Sequence, residues 1–197
     1  MKLLFSCLLT LQVLSVVAQN EMPTKEVKIQ LALLAAPAEL RDSATVYATG
    51  KNGRHIVLRQ GTNSMICLAD DPTQKGFNVS CYHRNMEPFM KRGRDLKAQG
   101  KTAKEIMDMR EAEAKSGKLK MNNQPSTLYA LTAKAEDYDS IAGQVKNTYL
   151  RYVVYIPYAT SASTGLPLKP DVPGMPWIMD PGTHRAHIMI NPEPKKN

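Results

Sequence analysis

The sequence predicts an α+β protein in which an antiparallel sheet, a meander plus later strands, carries a helical hairpin packed on one face. Short apolar runs separated by turn residues fill residues 44–83, and two capped, helix-periodic segments follow before apolar runs return. Strands, then helices, then strands are typical of α+β domains rather than of alternating βαβ units. With 43% apolar and 22% charged residues among 197, the composition indicates one globular domain over 19–197. It excludes a disordered, collagen-like or multi-span membrane chain.

The N-terminus has the pattern of a signal peptide over residues 1–18. Lys2 supplies a small positive region, a mainly apolar stretch follows, and Val16 and Ala18 are small residues at the two positions that signal peptidase reads. The apolar stretch is short for a membrane span, so a retained anchor is the less favoured alternative. We therefore expect an exported protein, periplasmic or extracellular and bacterial, with no transmembrane anchor after cleavage.

Signal cleavage removes Cys7 and leaves Cys67 and Cys81, an even pair in an oxidising compartment. We expect a disulfide bond between them. The alternatives are a metal-thiolate pair and two free buried thiols. In the disulfide interpretation the cysteines stabilise the fold and carry no chemistry.

The first half of the chain predicts a helix and four strands. Residues 26–41 favour a helix around 28–36 and a further helical turn at 37–42, because Pro37 interrupts the pattern. Asn52-Gly53 lies between two apolar runs and is a strong hairpin signal. The strands are predicted at 44–48, 55–60, 64–69 and 77–83. Their short connections favour an antiparallel meander, with the two cysteines on consecutive strands or one strand apart.

Two helices are predicted in the middle of the chain. Asn85 is the expected cap of the first, which starts at 86 and ends at Gly100. Thr102 and Glu105 form a capping box that opens the second. We expect the two helices to form a hairpin against the sheet.

Strands return at 128–133, 151–158 and 186–190. The 151–158 run is apolar on both faces, so it is expected in the interior of the sheet. Residues 157–182 hold six prolines and three glycines and predict a long loop, which in a compact domain is either functional or loosely ordered.

Familiar catalytic and cofactor motifs are absent from the sequence. It has no G-x-S-x-G nucleophile elbow, no phosphate-binding P-loop, no G-x-G-x-x-G fingerprint, no H-E-x-x-H pair and no EF-hand loop. The sequence therefore assigns no reaction and requires no cofactor.

A histidine-based metal site is the first candidate for chemistry. His184 and His187 lie at the start of the last predicted strand, and His83 and Glu87 lie where the meander meets the first helix of the hairpin. With Asp180 assisting, such ligands suit a zinc ion that activates water. The alternative is that the histidines pack or face solvent, since residues three apart on a strand point to opposite faces.

The methionines indicate a second metal chemistry. Several flank the histidines, and thioether and imidazole ligands together suit copper(I). These methionines are Met86, Met90, Met175, Met179 and Met189. Methionine at helical or strand spacing more often fills gaps in a core, and this alternative is the stronger one.

A basic helix face is the first candidate for binding. Lys91, Arg94 and Lys97 belong to a run of positive charges that would attract an anionic glycan, a lipid head group or a phosphorylated small ligand. The C-terminal Lys195 and Lys196 add to this charge. Nucleic acid is not expected, because no aromatic residues interleave with the charges. The alternative is an ordinary solvated helix surface.

Aromatic residues are the second candidate for binding. Trp177 lies in the predicted long loop, and Tyr152 and Tyr158 share a face of the preceding strand. A loop folded over the sheet would let these rings floor a cleft for a sugar, peptide or apolar ligand. The alternative is that Trp177 fastens the loop to the core.

The sequence thus favours an exported, non-enzymatic binding or envelope-associated module whose ligand surface combines the Trp177 loop with the basic helix. The competing hypothesis is a metal-binding protein or metal-dependent hydrolase with zinc or copper at His83, His184, His187 and Glu87.

Overall fold

The computed structural model describes residues 22–193, and the signal peptide predicted over 1–18 and the lysines at 195 and 196 lie outside this range. The α+β class is confirmed. The helices are α1 (Lys25–Leu33), α2 (Glu87–Ala98), α3 (Ala103–Lys115) and the short α4 (Ser161–Thr164). The strands are β1 (Thr45–Thr49), β2 (His55–Arg59), β3 (Met65–Leu68), β4 (Phe77–His83), β5 (Ser126–Ala133), β6 (Tyr138–Asp139), β7 (Gln144–Val145), β8 (Tyr149–Tyr155), β9 (Trp177–Met179) and β10 (His187–Ile190).

One eight-stranded sheet organises these elements, in the order β2-β1-β3-β4-β5-β8-β10-β9, while β6 and β7 pair separately. β8 lies between β5 and β10, as its apolar sequence predicts. β9 forms an edge of the sheet, so the region predicted to be a long loop contributes a strand that begins at Trp177. Across residues 22–193, no helix has the length and apolar character needed to cross a membrane.

The predicted antiparallel meander is wrong at its start, because β3 pairs in parallel with β1. After the β1–β2 hairpin the chain crosses the beginning of β1 at Gly61 and returns on the other side of that strand. The Thr62 and Asn63 amides both donate to the Ser43 carbonyl there, at 2.9 and 3.1 Å. A Cβ atom on Gly61 would lie 2.3 Å from the Ser43 oxygen, so only glycine fits this crossing.

The two faces of the sheet carry separate apolar clusters, because successive residues of a strand point to opposite faces. On the first face, Leu31 and Ala32 of α1 pack in a cluster with Cys67 and Cys81. On the second face, Met86 packs in a cluster with Ile66, Tyr82, Leu128 and Val153. We call these the α1 face and the α2 face.

The cysteine pairing agrees with the prediction. Cys67 and Cys81 lie directly opposite each other on β3 and β4, and their Sγ atoms are 2.14 Å apart. Both residues are fully buried beneath α1. The disulfide bond therefore joins two neighbouring strands inside the core.

The predicted capping box of α3 is present, with Thr102 and Glu105 each accepting from the other's backbone amide. The cap predicted at Asn85 is not. His83 Nδ1 instead accepts from the Asn85 amide at 3.2 Å, and a short 3-10 turn, Arg84–Met86, leads into α2. His83 thus caps the 3-10 turn, and α2 begins after Met86 without a side-chain cap.

Replacing Gly61 by alanine should lower the free energy of unfolding by about 3 kcal/mol, because the new methyl group meets backbone that cannot move without opening the crossing. Urea unfolding measures this. Gly117→Ala is the matched control, since nothing lies within 4 Å of its added Cβ and only its φ of +75° resists the change. A cost of about 1 kcal/mol is expected for the control. Equal losses of unfolding free energy in the two variants would contradict the close approach of Gly61 to the backbone of β1.

Reduction of the Cys67–Cys81 bond should lower the free energy of unfolding by about 3 kcal/mol, because the bond closes a loop with a sequence separation of 14. The measurement is urea unfolding with and without reductant, with a thiol assay that confirms reduction. An unchanged midpoint in protein shown to have two free thiols would count against a stabilising bridge.

Candidate functional site

A charged pocket of about 410 Å³ lies between α2 and the β1–β2 hairpin. We call it the α2–β2 pocket. Tyr47 and His55 of the hairpin line one side. The charged side chains that line it are Arg54, Glu87, Lys91, Arg92, Arg94 and Asp95. Four of these are cationic and two are anionic, so the pocket attracts negative charge.

Two of the lining residues, Glu87 and Arg94, form a hydrogen-bonded trio with Tyr82, which is buried behind them. The buried Tyr82 hydroxyl donates to Glu87 Oε2 and accepts from Arg94 Nη1, each at 2.6 Å. Arg94 Nη2 donates to Glu87 Oε1, also at 2.6 Å. A buried hydroxyl without partners would be costly, and here both its donor and its acceptor capacity are used.

Sequence spacing explains why the trio forms. Glu87 and Arg94 are seven residues apart on α2, which is about two turns, so both project toward the same side of the helix. Tyr82 projects from β4 onto the α2 face. The Arg94 guanidinium also lies 5.5 Å from the centre of the Tyr47 ring, within cation–π range. Arg94 is therefore held on two sides and has a fixed position.

His55 is a neutral group in this positive surrounding. Its pKa is lowered to about 4, first by burial and then by Arg94 and Lys97, against the opposing effect of Asp71 and Glu87. Its Nδ1 atom is buried and has no hydrogen-bond partner within residues 22–193. The imidazole is therefore neutral at pH 7, with one ring nitrogen left without a partner among the described residues.

The cations at the rim differ in how firmly they are held. Arg92 forms a bidentate pair with Glu113 of α3, at 2.7 and 2.5 Å. Lys91 pairs with Asp95 across one turn at 2.6 Å, and both side chains are largely exposed. The exposed Arg54 side chain forms no ion pair within the part of the chain that the structure describes. Exposed pairs are weak, so Lys91 and Arg54 can turn to a ligand at small cost.

Comparison of the chain with protein-family models, curated proteins and solved structures finds no match in any of the three. The function is therefore argued from the geometry of the site.

The structure divides the binding residues proposed from the sequence. Lys91 and Arg94 line the α2–β2 pocket, and Lys97 lies beside it, paired with Asp71 at 3.3 Å. Trp177 lies on β9, which is the edge of the sheet opposite to β2. The basic helix and Trp177 are therefore not brought together as one surface.

The aromatic residues are also separated from one another. Strand register pairs Trp177 with Met189 and Met189 with Val153, which places the tryptophan on the α2 face. Tyr152 neighbours Val153 on β8 and points to the α1 face, where its ring meets Tyr129. Tyr158 follows β8 in a left-handed conformation, with φ of +64°. The three rings do not line a shared cleft.

The proposed metal ligands each have protein partners in separate places. His83 caps the turn before α2, and Glu87 belongs to the trio. The ring of His187 stacks on Tyr155, with centres 5.1 Å apart, and its Nδ1 lies 2.7 Å from the Arg185 carbonyl oxygen. Within residues 22–193, no three His, Cys, Asp or Glu side chains are grouped so that they could hold a metal ion.

His184 takes part in a contact that sequence reasoning missed. Glu111 Oε2 of α3 accepts from the His184 backbone amide at 2.8 Å and lies 2.6 Å from its Nδ1. Burial lowers the pKa of His184 although Glu111 opposes it, so the ring is neutral at pH 7 and Nδ1 donates. Asp180 pairs with Arg185 at 2.8 Å nearby. The contact between His184 and Glu111 fastens the segment before β10 to α3. No local sequence pattern predicts a contact between residues 73 positions apart.

Tyr47, Arg54, His55 and Tyr82 were also missed as site residues. Tyr82 sits at a core position of a predicted strand, and its polar function depends on a helix that starts five residues later. A signal did exist in the spacing of Glu87 and Arg94 on one helix face. Nothing in the sequence indicated that the first hairpin would face the same helix.

Stability should fall as the pH drops from 6.5 to 4, because unfolded His55 takes up a proton in this range and folded His55 does not. His55→Gln should reduce this dependence by about 1 kcal/mol at pH 4 after allowance for solvent screening, and the lowered pKa values of His184 and His187 maintain the remainder. Urea unfolding across this pH range measures it. If the pH dependence of the unfolding free energy is the same in His55→Gln as in the wild type, folded His55 does not have the lowered pKa described here.

Proposed function

We propose that this protein is an exported, non-enzymatic binding module that holds an anionic group in the α2–β2 pocket. The observation that carries the proposal is the excess of cations over anions in the pocket lining, where Arg54 has no ion-pair partner within residues 22–193 and Lys91 has only an exposed one. Carboxylate and phosphate are the groups that such cations bind best. A glycan, a lipid head group or a small ligand could each present one.

The state of the polar groups favours binding over acid–base chemistry. Burial raises the pKa of Tyr82, with Glu87 acting in the same direction and Arg94 opposing it, so the phenol stays protonated. Both oxygens of Glu87 are occupied, one by Tyr82 and one by Arg94. These groups therefore position Arg94 and do not act as a free acid and base.

We also infer that α2 and α3 cover the α2 face as a helical hairpin. The bidentate contact of Arg92 with Glu113 and the contact of the Arg110 guanidinium with the Phe89 ring, 4.1 Å from its centre, support this arrangement. In this arrangement, α3 packs against α2 and stabilises the position of the helix that carries Lys91, Arg92 and Arg94. The zinc or copper site stays a prediction from the sequence, and no grouping of ligands within residues 22–193 supports it.

Residues 19–197 should bind citrate and inorganic phosphate at low ionic strength, and added salt should weaken the binding because the rim charges are exposed. Isothermal titration calorimetry measures both effects. The double variant Arg54→Gln/Lys91→Gln should lose about tenfold in affinity, or about 1.4 kcal/mol. Both side chains are exposed, so the variant is expected to fold.

Lys101→Gln/Lys104→Gln is the matched control, since it removes two exposed positive charges near the start of α3, away from the pocket lining. It should keep the wild-type affinity. No binding of either anion, or an equal loss in the control, would overturn the proposal. If citrate or phosphate binds, titration with oligogalacturonate and with vesicles containing phosphatidylglycerol distinguishes a glycan ligand from a lipid head group.

A further inference from the structure

β2 is an edge strand, paired with β1 and with no other strand of residues 22–193. Its middle residues, Ile56 and Val57, are both 52% exposed. An edge strand presents unpaired backbone amides and carbonyls to another extended chain, and natural proteins usually protect such edges. Two exposed β-branched residues at the centre of this one leave it open to pairing.

The backbone of His55 and Val57 points outward from the sheet. In an antiparallel ladder, hydrogen-bonded and non-hydrogen-bonded pairs alternate. The Gly50 amide donates to the Arg54 carbonyl at 2.7 Å, which makes Thr49 and His55 a non-hydrogen-bonded pair. Tyr47, opposite Val57, directs its carbonyl to the Ala69 amide on the far side of β1, at 2.8 Å. The backbone amides and carbonyls of His55 and Val57 therefore point away from β1, where no other strand of residues 22–193 pairs with them.

The side chains on this edge alternate between the two faces. Register places His55 opposite Thr49 and Val57 opposite Tyr47, so both share the α2 face with the pocket. Ile56 is opposite Ala48 and points to the α1 face. Every second residue of a strand added to β2 would therefore project toward the α2–β2 pocket, about 5 Å from its neighbour on β2.

Charge decides which kind of strand fits. The pocket carries more cations than anions, and Arg54 precedes β2 directly. A second copy of β2 would bring Arg54 and Arg59 but no acidic residue to this edge, so it would add positive charge where cations are already in excess. An acidic side chain on the added strand would meet opposite charge instead.

We propose that β2 docks an extended acidic peptide segment of a partner protein by strand addition, with one carboxylate in the α2–β2 pocket. The proposal rests on the proposed function, because it names the partner class of the same pocket. Backbone hydrogen bonds to His55 and Val57 supply affinity, and the pocket supplies the preference for an acidic side chain.

Capped heptapeptides test the docking. The probe alternates valine and glutamate, a matched peptide replaces glutamate with lysine, and a third N-methylates the glutamate peptide on one backbone edge. Fluorescence anisotropy should show the glutamate peptide binding at least tenfold more tightly than either of the others. The amide resonances of His55 and Val57 should shift on binding.

A pair of variants tests the face that is used. Val57→Glu places a negative charge beside the pocket and should weaken the glutamate peptide by about tenfold. Ile56→Glu makes the same change at an equally exposed neighbour on the other face and should weaken it less than about threefold. Equal losses would overturn the proposed orientation.

The remaining outcomes separate the two proposals. If citrate binds but no peptide does, or if N-methylation has no effect, strand addition is overturned and the anion pocket stands. If neither citrate nor any peptide binds, both proposals fall. Self-association through β2 that the peptide cannot displace would assign the edge to a second copy and overturn the acidic partner.

Discussion

The hydroxyl of Tyr82 is the group on which the arrangement of this molecule depends most. It comes from β4, a strand in the interior of the sheet, and it is buried beneath α2. A buried hydroxyl needs partners, and Glu87 and Arg94 supply both. The same two bonds fix α2 on the sheet and hold a guanidinium in the lining of the pocket. Satisfying one core polar group therefore creates the charged surface.

Local signals in the sequence predicted the elements well because their causes are local. The Asn52-Gly53 turn, the Thr102–Glu105 capping box and the interior position of β8 all follow from neighbouring residues. The parallel pairing of β3 was missed because a turn at 61–63 looks the same whether the chain folds back or crosses over. The decisive contact there, Gly61 against Ser43, is a contact between distant residues.

The same difference between local and distant causes explains why only some residues of the α2–β2 pocket were predicted. Lys91 and Arg94 could be found because they share a helix face, while His55 joins them only through the sheet order. In the structure, the buried His184 contacts Glu111, and His83 serves as a cap. Imidazole is a good hydrogen-bonding group for both purposes, and sequence spacing cannot distinguish these uses from metal ligation.

The sheet order also sets a gradient of local stability. β4 and β5 have a paired strand on each side, whereas β2 is held on one side and its two central side chains are exposed. Amide hydrogen exchange is fastest where opening breaks the fewest buried contacts. β2 can therefore open and close while β1 keeps its pairing with the disulfide-bonded strand β3. A strand that must accept a new neighbour is thus placed where the cost of local opening is lowest, while the core that supports it stays closed.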